Sequence, residues 1–404
     1  MRFLPCGEGA SQTKSKPLTD ISPLILMKKR FPLLFAALAV LCVPASVCGA
    51  LPVADVAPGV EISVKKLPPL VVEGTNPAQG VAGAFIVAQG EHAVYVAGGA
   101  LFPEKGPADG GKKKFYDTIW KLDLKENAWR VCEAKLPVPA AYGVSSGLTW
   151  LGGENSTGKL DVVWGANTLP LKNFPRLPKT VDNAAGAAMF VGGGNVDGVP
   201  ANKAFSYFVN SFPGKVCEWK PLPDFPGTPR IQPVAGMLKT PRGWVYALVG
   251  GFYFDKETKK ATLDRAGVIY FPHENKWETL PPLPEDVSGA GLVGSCAVSD
   301  GRGGLLIFGG VNAKIFKDAL ENPAPDYLRH DPAWYKFNAD VLRLSFDQDG
   351  NAKWEKLAVV PATARAGASV IEPKIGGGIV FICGELKPGF RSPDCCLIEI
   401  KLKD

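Results

Sequence analysis

The sequence predicts an all-β fold, a six-bladed β-propeller whose last blade is closed by the chain's own N-terminal strand. Three observations predict it. Glycine (46) and proline (36) are abundant and only 21% of the 404 residues are charged, a balance that favours short strands and tight turns over long amphipathic helices. An apolar run ending in a glycine pair recurs as HAVYVAGG (92–99), LTWLGG (148–153), AAMFVGGG (187–194), WVYALVGG (244–251) and LLIFGG (305–310), with a sixth copy, IVFICGE (379–385), that keeps only Gly384. The intervals scatter around about 50 residues, the length of one four-stranded blade. Finally, Ser63-Val64-Lys65-Lys66-Leu67-Pro68-Pro69-Leu70 aligns with Lys276-Trp277-Glu278-Thr279-Leu280-Pro281-Pro282-Leu283, while the C-terminal end has room for one strand, Cys396 to Leu402, after Glu385. The N-terminal segment therefore supplies the missing outer strand, which leaves the ring of blades no open end.

The first 50 residues have another character. Met27, Lys28, Lys29 and Arg30 form a basic cluster, Phe31 to Val43 is an apolar run, and Cys48-Gly49-Ala50 offers small residues for cleavage. These are the parts of a secretory signal, and the apolar run falls short of the roughly 20 residues of a membrane span. Residues 1–50 thus read as signal peptide and upstream extension, with Met1 or Met27 as the start, and residues 51–404 as one domain, periplasmic or secreted and free of the membrane after cleavage near Ala50. The leader carries Arg2, Lys14, Lys16, Lys28, Lys29 and Arg30 against Glu8 and Asp20, which is most of the chain's net +6. The nearly neutral remainder lacks the concentrated basic field of a nucleic-acid partner.

From Leu51 onward the repeat sets the elements. Each glycine-ended run is followed by a second short apolar strand, and in most copies by a turn, a tryptophan (Trp129, Trp219, Trp277, Trp354) and a proline-rich stretch. This pattern resembles the kelch repeat along essentially the whole domain; the second copy is the poorest, with Phe174-Pro175-Arg176-Leu177-Pro178 where the Trp strand should be. In an antiparallel meander, the loops after the glycine pairs share one face with the blade-to-blade connections. Three of them are long, 100–114, 252–267 and 311–338, and they build a binding mouth on that face. The domain's six cysteines (Cys132, Cys217, Cys296, Cys383, Cys395, Cys396) follow no disulfide framework and read as small buried hydrophobes.

Several motifs are set aside. Gly289-Ala290-Gly291-Leu292-Val293-Gly294 matches the dinucleotide fingerprint but follows a proline-rich loop and opens no helix. His92, His273 and His330 lie in separate blades without ligand spacing, so no metal site is implied, and the copper chemistry of galactose oxidase, another kelch-type propeller, is excluded. Ser345 to Gly350 has the wrong spacing for a sialidase Asp-box.

The informative segment is Gly384-Glu385-Leu386-Lys387-Pro388-Gly389-Phe390-Arg391. It sets a carboxylate at the end of an inner strand and turns the chain through Pro388 and Gly389 so that Arg391 returns toward it. The segment resembles the G-E-x-K-P-G-x-R motif of the bacterial N-acetylneuraminate epimerases, the sialic acid mutarotases. The stretches 80–85, 96–99, 141–145 and 151–154 are similar to elements that follow that motif in the usual member and precede it here, as in the cyclically permuted branch. The resemblance implies a mutarotase that opens and recloses the hemiketal of a sialic acid without a cofactor, with Glu385 and Arg391 as its active-site residues.

Topology alone adds further candidate substrate-binding residues on the same face. Lys387 shares the motif loop; Glu154, Asn195 and Asn312 follow glycine pairs; Arg230 and Arg365 lie in blade-to-blade connections. The rival reading is a noncatalytic propeller that binds a carbohydrate or a protein in the periplasm.

Overall fold

The computed structural model describes residues 49–210, 216–374 and 376–403; the predicted signal segment lies almost wholly outside them. Within them the chain forms six four-stranded antiparallel sheets. The first is made of Phe85–Gln89, Ala93–Ala97, Thr118–Asp123 and Ala128–Lys135, neighbours in sequence pairing in turn. In the fifth and sixth sheets the second strand is a continuous apolar run because it is covered on both faces. Leu305–Gly309 and Ile379–Ile382 are buried along their whole length.

The sixth sheet is assembled from both ends of the chain. Ser369–Ile371, Ile379–Ile382 and Cys395–Leu402 are followed by Val60–Leu67, which runs antiparallel to the last of them from Val60 opposite Leu402 to Leu67 opposite Cys395. The strand ends at Leu67 as its counterpart Lys276–Leu280 ends at the aligned Leu280, since the prolines that follow have no N–H to continue the ladder.

Neighbouring sheets are joined by apolar clusters. One packs Leu238 and Leu280 against Ile307 and Leu342, another packs Phe308 against Phe381, and another packs Ile86 and Val96 of the first sheet against Val380 and Ile382 of the sixth. The repeated tryptophans tie the same seams. Trp277 and Trp354 donate their indole N–H to the carbonyls of Pro223 and Pro281, each in the proline stretch after the preceding sheet. Trp129 of the first sheet does the same to Pro68, directly after the N-terminal strand of the sixth. Trp219 has a buried Nε1 without an acceptor among the described residues, and its neighbour is the second sheet, where the proline stretch is degenerate.

The first strands of successive sheets touch one another, and that of the sixth touches that of the first. Just ahead of these strands, six residues are linked in a circle of backbone hydrogen bonds. Each N–H donates to the carbonyl of the previous sheet's residue: Tyr142 to Gly83, Asn183 to Tyr142, Gln232 to Asn183, Gly294 to Gln232, Gly367 to Gly294, and Gly83 back to Gly367, at 2.7–3.1 Å. All six have φ between 51° and 64°. Glycine adopts that conformation freely; Tyr142 and Gln232 do so at a cost of roughly 1–2 kcal/mol each, which the circle must offset.

Candidate functional site

The motif hairpin is built by its glycines. Gly384 turns at φ 95°, close against Ala366 and Ala368, and brings Glu385 into a two-way backbone pairing with Ala366. Gly389 turns at φ 88°, where any side chain would collide with Pro107. The hairpin thus pairs Glu385–Lys387 with Phe390–Arg391 and sets Glu385 opposite Arg391. Gln79 then fixes the strand: its side-chain oxygen accepts from the Arg391 N–H, and Gly80 donates to the Arg391 carbonyl.

Arg391 is only 2% exposed, yet its guanidinium is half satisfied. One terminal nitrogen lies 2.5 Å from a Glu385 oxygen and 3.3 Å from the Tyr142 hydroxyl, and the group sits 5.1 Å from the centre of the Phe102 ring. Nε and Nη1 are buried and meet no acceptor among the described residues. Buried polar groups are nearly always paired, so a guanidinium held this way is poised for an anionic ligand. Glu385, with 24% of its side chain exposed, keeps access to the cavity beside it.

That cavity has a volume of about 480 Å³, within the range of small-molecule sites, and its floor is the hydrogen-bonded circle. Three of the residues singled out from the sequence line it: Glu385, Arg391 and Glu154. Glu154 is joined by Lys159, which also reaches Asp182 at 3.2 Å. Burial lowers the pKa of the Lys159 ammonium, but the two carboxylates outweigh it and the net shift is upward.

The other candidates do not line the cavity, because other parts of the fold take up their polar groups. Arg365, 3% exposed, donates to the carbonyls of Ala362, Cys383 and Asp394, pinning the connection to the strand that leads to Glu385. Arg230 pairs with Asp264 at 2.6 Å and donates to the Gly250 and Ala266 carbonyls; burial pulls its pKa down, against the opposing effect of Asp264. Lys387 donates to the His330 carbonyl, Asn195 to Asp182, and Asn312 caps the helix Ala313–Glu321.

Sequence reasoning missed Tyr142, Asn183, Gln232, Lys113 and Phe102, all of which line the cavity. Lys113 places its ammonium 4.6 Å from the centre of the Tyr142 ring, adding a second cation near Arg391. The long insertion 311–338 also reaches the site. Its Arg329 bonds Asp109 and the Ala108 carbonyl in the 100–114 loop, and its Tyr327 phenol is pushed up to about 12 by burial, with the charges of Tyr335 and Glu385 adding to the effect. Among the described residues no group of three or more His, Cys, Asp or Glu side chains is arranged to hold a metal ion. The arrangement can take up a carboxylate and move a proton beside it.

Residues 174–404 match the model of the family described as N-acetylneuraminate epimerase. A protein of Yersinia enterocolitica named N-acetylneuraminate epimerase is 32% identical over 191 residues, 43% of this chain and 45% of that one. One of the same name from Haemophilus influenzae is 28% identical over 240 residues, 55% and 58% of the two chains. The chain thus spans about half the length of the curated relatives it matches. A solved structure titled "Structure of YjhT" aligns with a TM-score of 0.41 at 21% identity, covering 63% of this chain and 60% of that one.

Proposed function

The chain belongs to the N-acetylneuraminate epimerase family, and from that membership we propose that it is a sialic acid mutarotase, interconverting the α and β anomers of N-acetylneuraminate beside Glu385 and Arg391. The observation that carries the proposal is Arg391, buried and half satisfied, in hydrogen-bond contact with a carboxylate that remains open to the cavity. Its planar guanidinium suits the sugar's carboxylate, which sits on the anomeric carbon, so anchoring the one delivers the other to Glu385.

The chemistry is a proton exchange. Glu385 takes the proton of the anomeric hydroxyl, the freed electron pair forms the C2 carbonyl, and the bond from C2 to the ring oxygen breaks. Glu385 then gives the proton it took to the ring oxygen, which becomes a hydroxyl. The open keto acid turns its carbonyl and closes by the reverse steps on the other face, with no net change in protons or electrons. General acid–base catalysis of this kind contributes about 10²–10⁴-fold. Time-resolved proton NMR of the anomers, just after a sialidase releases the α form, is the test. The protein should accelerate the relaxation above the spontaneous rate. Faster equilibration of aldose anomers alone would assign another sugar, and no acceleration of any sugar would leave a binding module.

The same reading makes residues 51–404 one domain, a six-bladed kelch-type propeller closed by Val60–Leu67. The six sheets, the clusters between successive sheets and the hydrogen-bonded circle support it. The basic cluster and apolar run of residues 27–43 support export to the periplasm or beyond. N-terminal sequencing of the protein from its own cells should start near Leu51; an uncleaved cytoplasmic chain would refute export.

A further inference from the structure

The floor of the cavity is uneven. Of the six residues in the hydrogen-bonded circle, Gly83, Gly294 and Gly367 present no side chain, while Tyr142, Asn183 and Gln232 do. The bare positions include both neighbours of the sixth sheet, which carries Glu385 and Arg391, and that sheet's own residue. Asn183 stands directly opposite, three hydrogen-bonded steps from Gly367 in either direction, and Gln232 is beside it.

The orientation of these two amides is fixed from behind. Asp182 is fully buried and takes Lys159 as its ion partner. One of its oxygens accepts from the Asn183 side-chain nitrogen at 2.7 Å and from that of Asn195 at 2.8 Å. A carboxylate accepts and cannot donate, so Asn183 must turn its NH₂ toward Asp182 and its oxygen the other way. That oxygen accepts from the Gln232 NH₂ at 3.1 Å. Gln232 thereby turns its own oxygen away from Asn183, with no donor to it among the described residues, on the lining of the cavity. The chain of amides ends in an acceptor, with the second N–H of each amide beside it.

We propose that Asn183 and Gln232, set by Asp182, are the specificity-determining residues of this site and read the acylamino group of the sugar acid across the cavity from Arg391. The inference rests on the mutarotase reading and adds to it the residues that recognise the substituent opposite the carboxylate-bearing carbon. In a 5-acylamino-2-keto sugar acid closed as a pyranose, the carboxylate-bearing carbon and the acylamino carbon are at opposite corners of the six-membered ring. The amide N–H matches the Gln232 oxygen and the acyl oxygen matches an amide donor. A 5-hydroxy analogue offers one small group in place of two spaced ones, and a site built for the pair discriminates against it.

The test is calorimetric titration of the full mature protein with N-acetylneuraminate and with its 5-hydroxy analogue. The substitutions are Asn183→Gly and Gln232→Gly, since glycine already holds half the circle and accepts its backbone conformation. The wild type should bind the acylamino sugar about tenfold or more tightly than the hydroxy sugar, as one or two matched hydrogen bonds would give. Either glycine variant should bring the two affinities to within about twofold, and in turnover the loss should fall on KM. Gln232→Glu keeps the outer oxygen but removes the donor to Asn183, and should weaken the preference while leaving the fold as judged by melting. Equal affinity of the wild type for both sugars, or a preference that survives in both glycine variants, overturns the proposal. Selective binding without any acceleration of anomer exchange would instead sink the mutarotase reading alone.

Discussion

Glu385 and Arg391 form one ion pair, yet their removal has different consequences. Glu385→Gln keeps shape and hydrogen bonding but accepts no proton; it should reduce the enzyme-dependent anomer exchange by about 10²–10⁴-fold while N-acetylneuraminate still binds. Arg391→Lys keeps a charge and loses the planar fork, so it should raise KM for sugars bearing the carboxylate about tenfold or more, with a smaller effect on kcat. NMR exchange rates over a range of sugar concentrations separate the two, and equal losses in both variants would mean that the pair serves only to hold the loop. That these two side chains meet was legible because both stand in a compact motif. Arg230 and Arg365 were assigned to the right connections but not to the right neighbours: sequence gives the face on which a residue's backbone lies, whereas a long buried arginine turns to whichever carbonyls the fold leaves unpaired. Gln232 left no signal and Tyr142 only its place in the 141–145 stretch, because neither residue type favours a left-handed backbone. Asn183 had a weak one, since asparagine tolerates it.

The elements were easier to read than the contacts they make. Strands recurring every 50 or so residues, and the match of residues 63–70 with 276–283, were enough to pair the two ends of the chain, since the strand-and-proline pattern records a role in the sheet rather than a position in the sequence. The long connections were recognisable as insertions on one face, but their internal structure was not. The 100–114 segment opens and closes as a short hairpin pairing Ala100–Leu101 with Lys114–Phe115, the 252–267 segment holds the hairpin Phe252–Asp255 with Lys260–Leu263, and the third insertion contains a helix. Short hairpins of two to four residues a side carry too little periodicity to show in composition. Their function depends on contacts between loops far apart in sequence, such as Arg329 with Asp109 and Pro107 with Gly389, which only the folded chain brings together.

In the molecule as a whole, the hydrogen-bonded circle couples the six sheets, and its glycines are not equivalent. A side chain at Gly83 would come within 2.5 Å of the Tyr142 ring and 3.0 Å of its backbone nitrogen, whereas one at Gly367 would meet nothing closer than 3.6 Å. Both substitutions carry the left-handed backbone penalty of roughly 1–2 kcal/mol. Gly83→Ala should cost about 1–3 kcal/mol more through overpacking and should also displace Tyr142 from Arg391. Urea midpoints of the two variants measure the difference, and equal midpoints would show that the circle is loosely packed.

The circle has an electrostatic consequence as well. Peptide dipoles aligned in a row, as in a helix, add up and leave partial charge at the ends, and the positive end of such a row is a natural seat for an anion. Here six N–H groups point the same way round a closed loop, each answered by the next carbonyl, so their dipoles cancel in its plane and no end remains. The circle therefore offers a carboxylate no spare backbone N–H and no dipole end. Attraction of an anion falls instead to the discrete cations on the lining, Arg391 and Lys113.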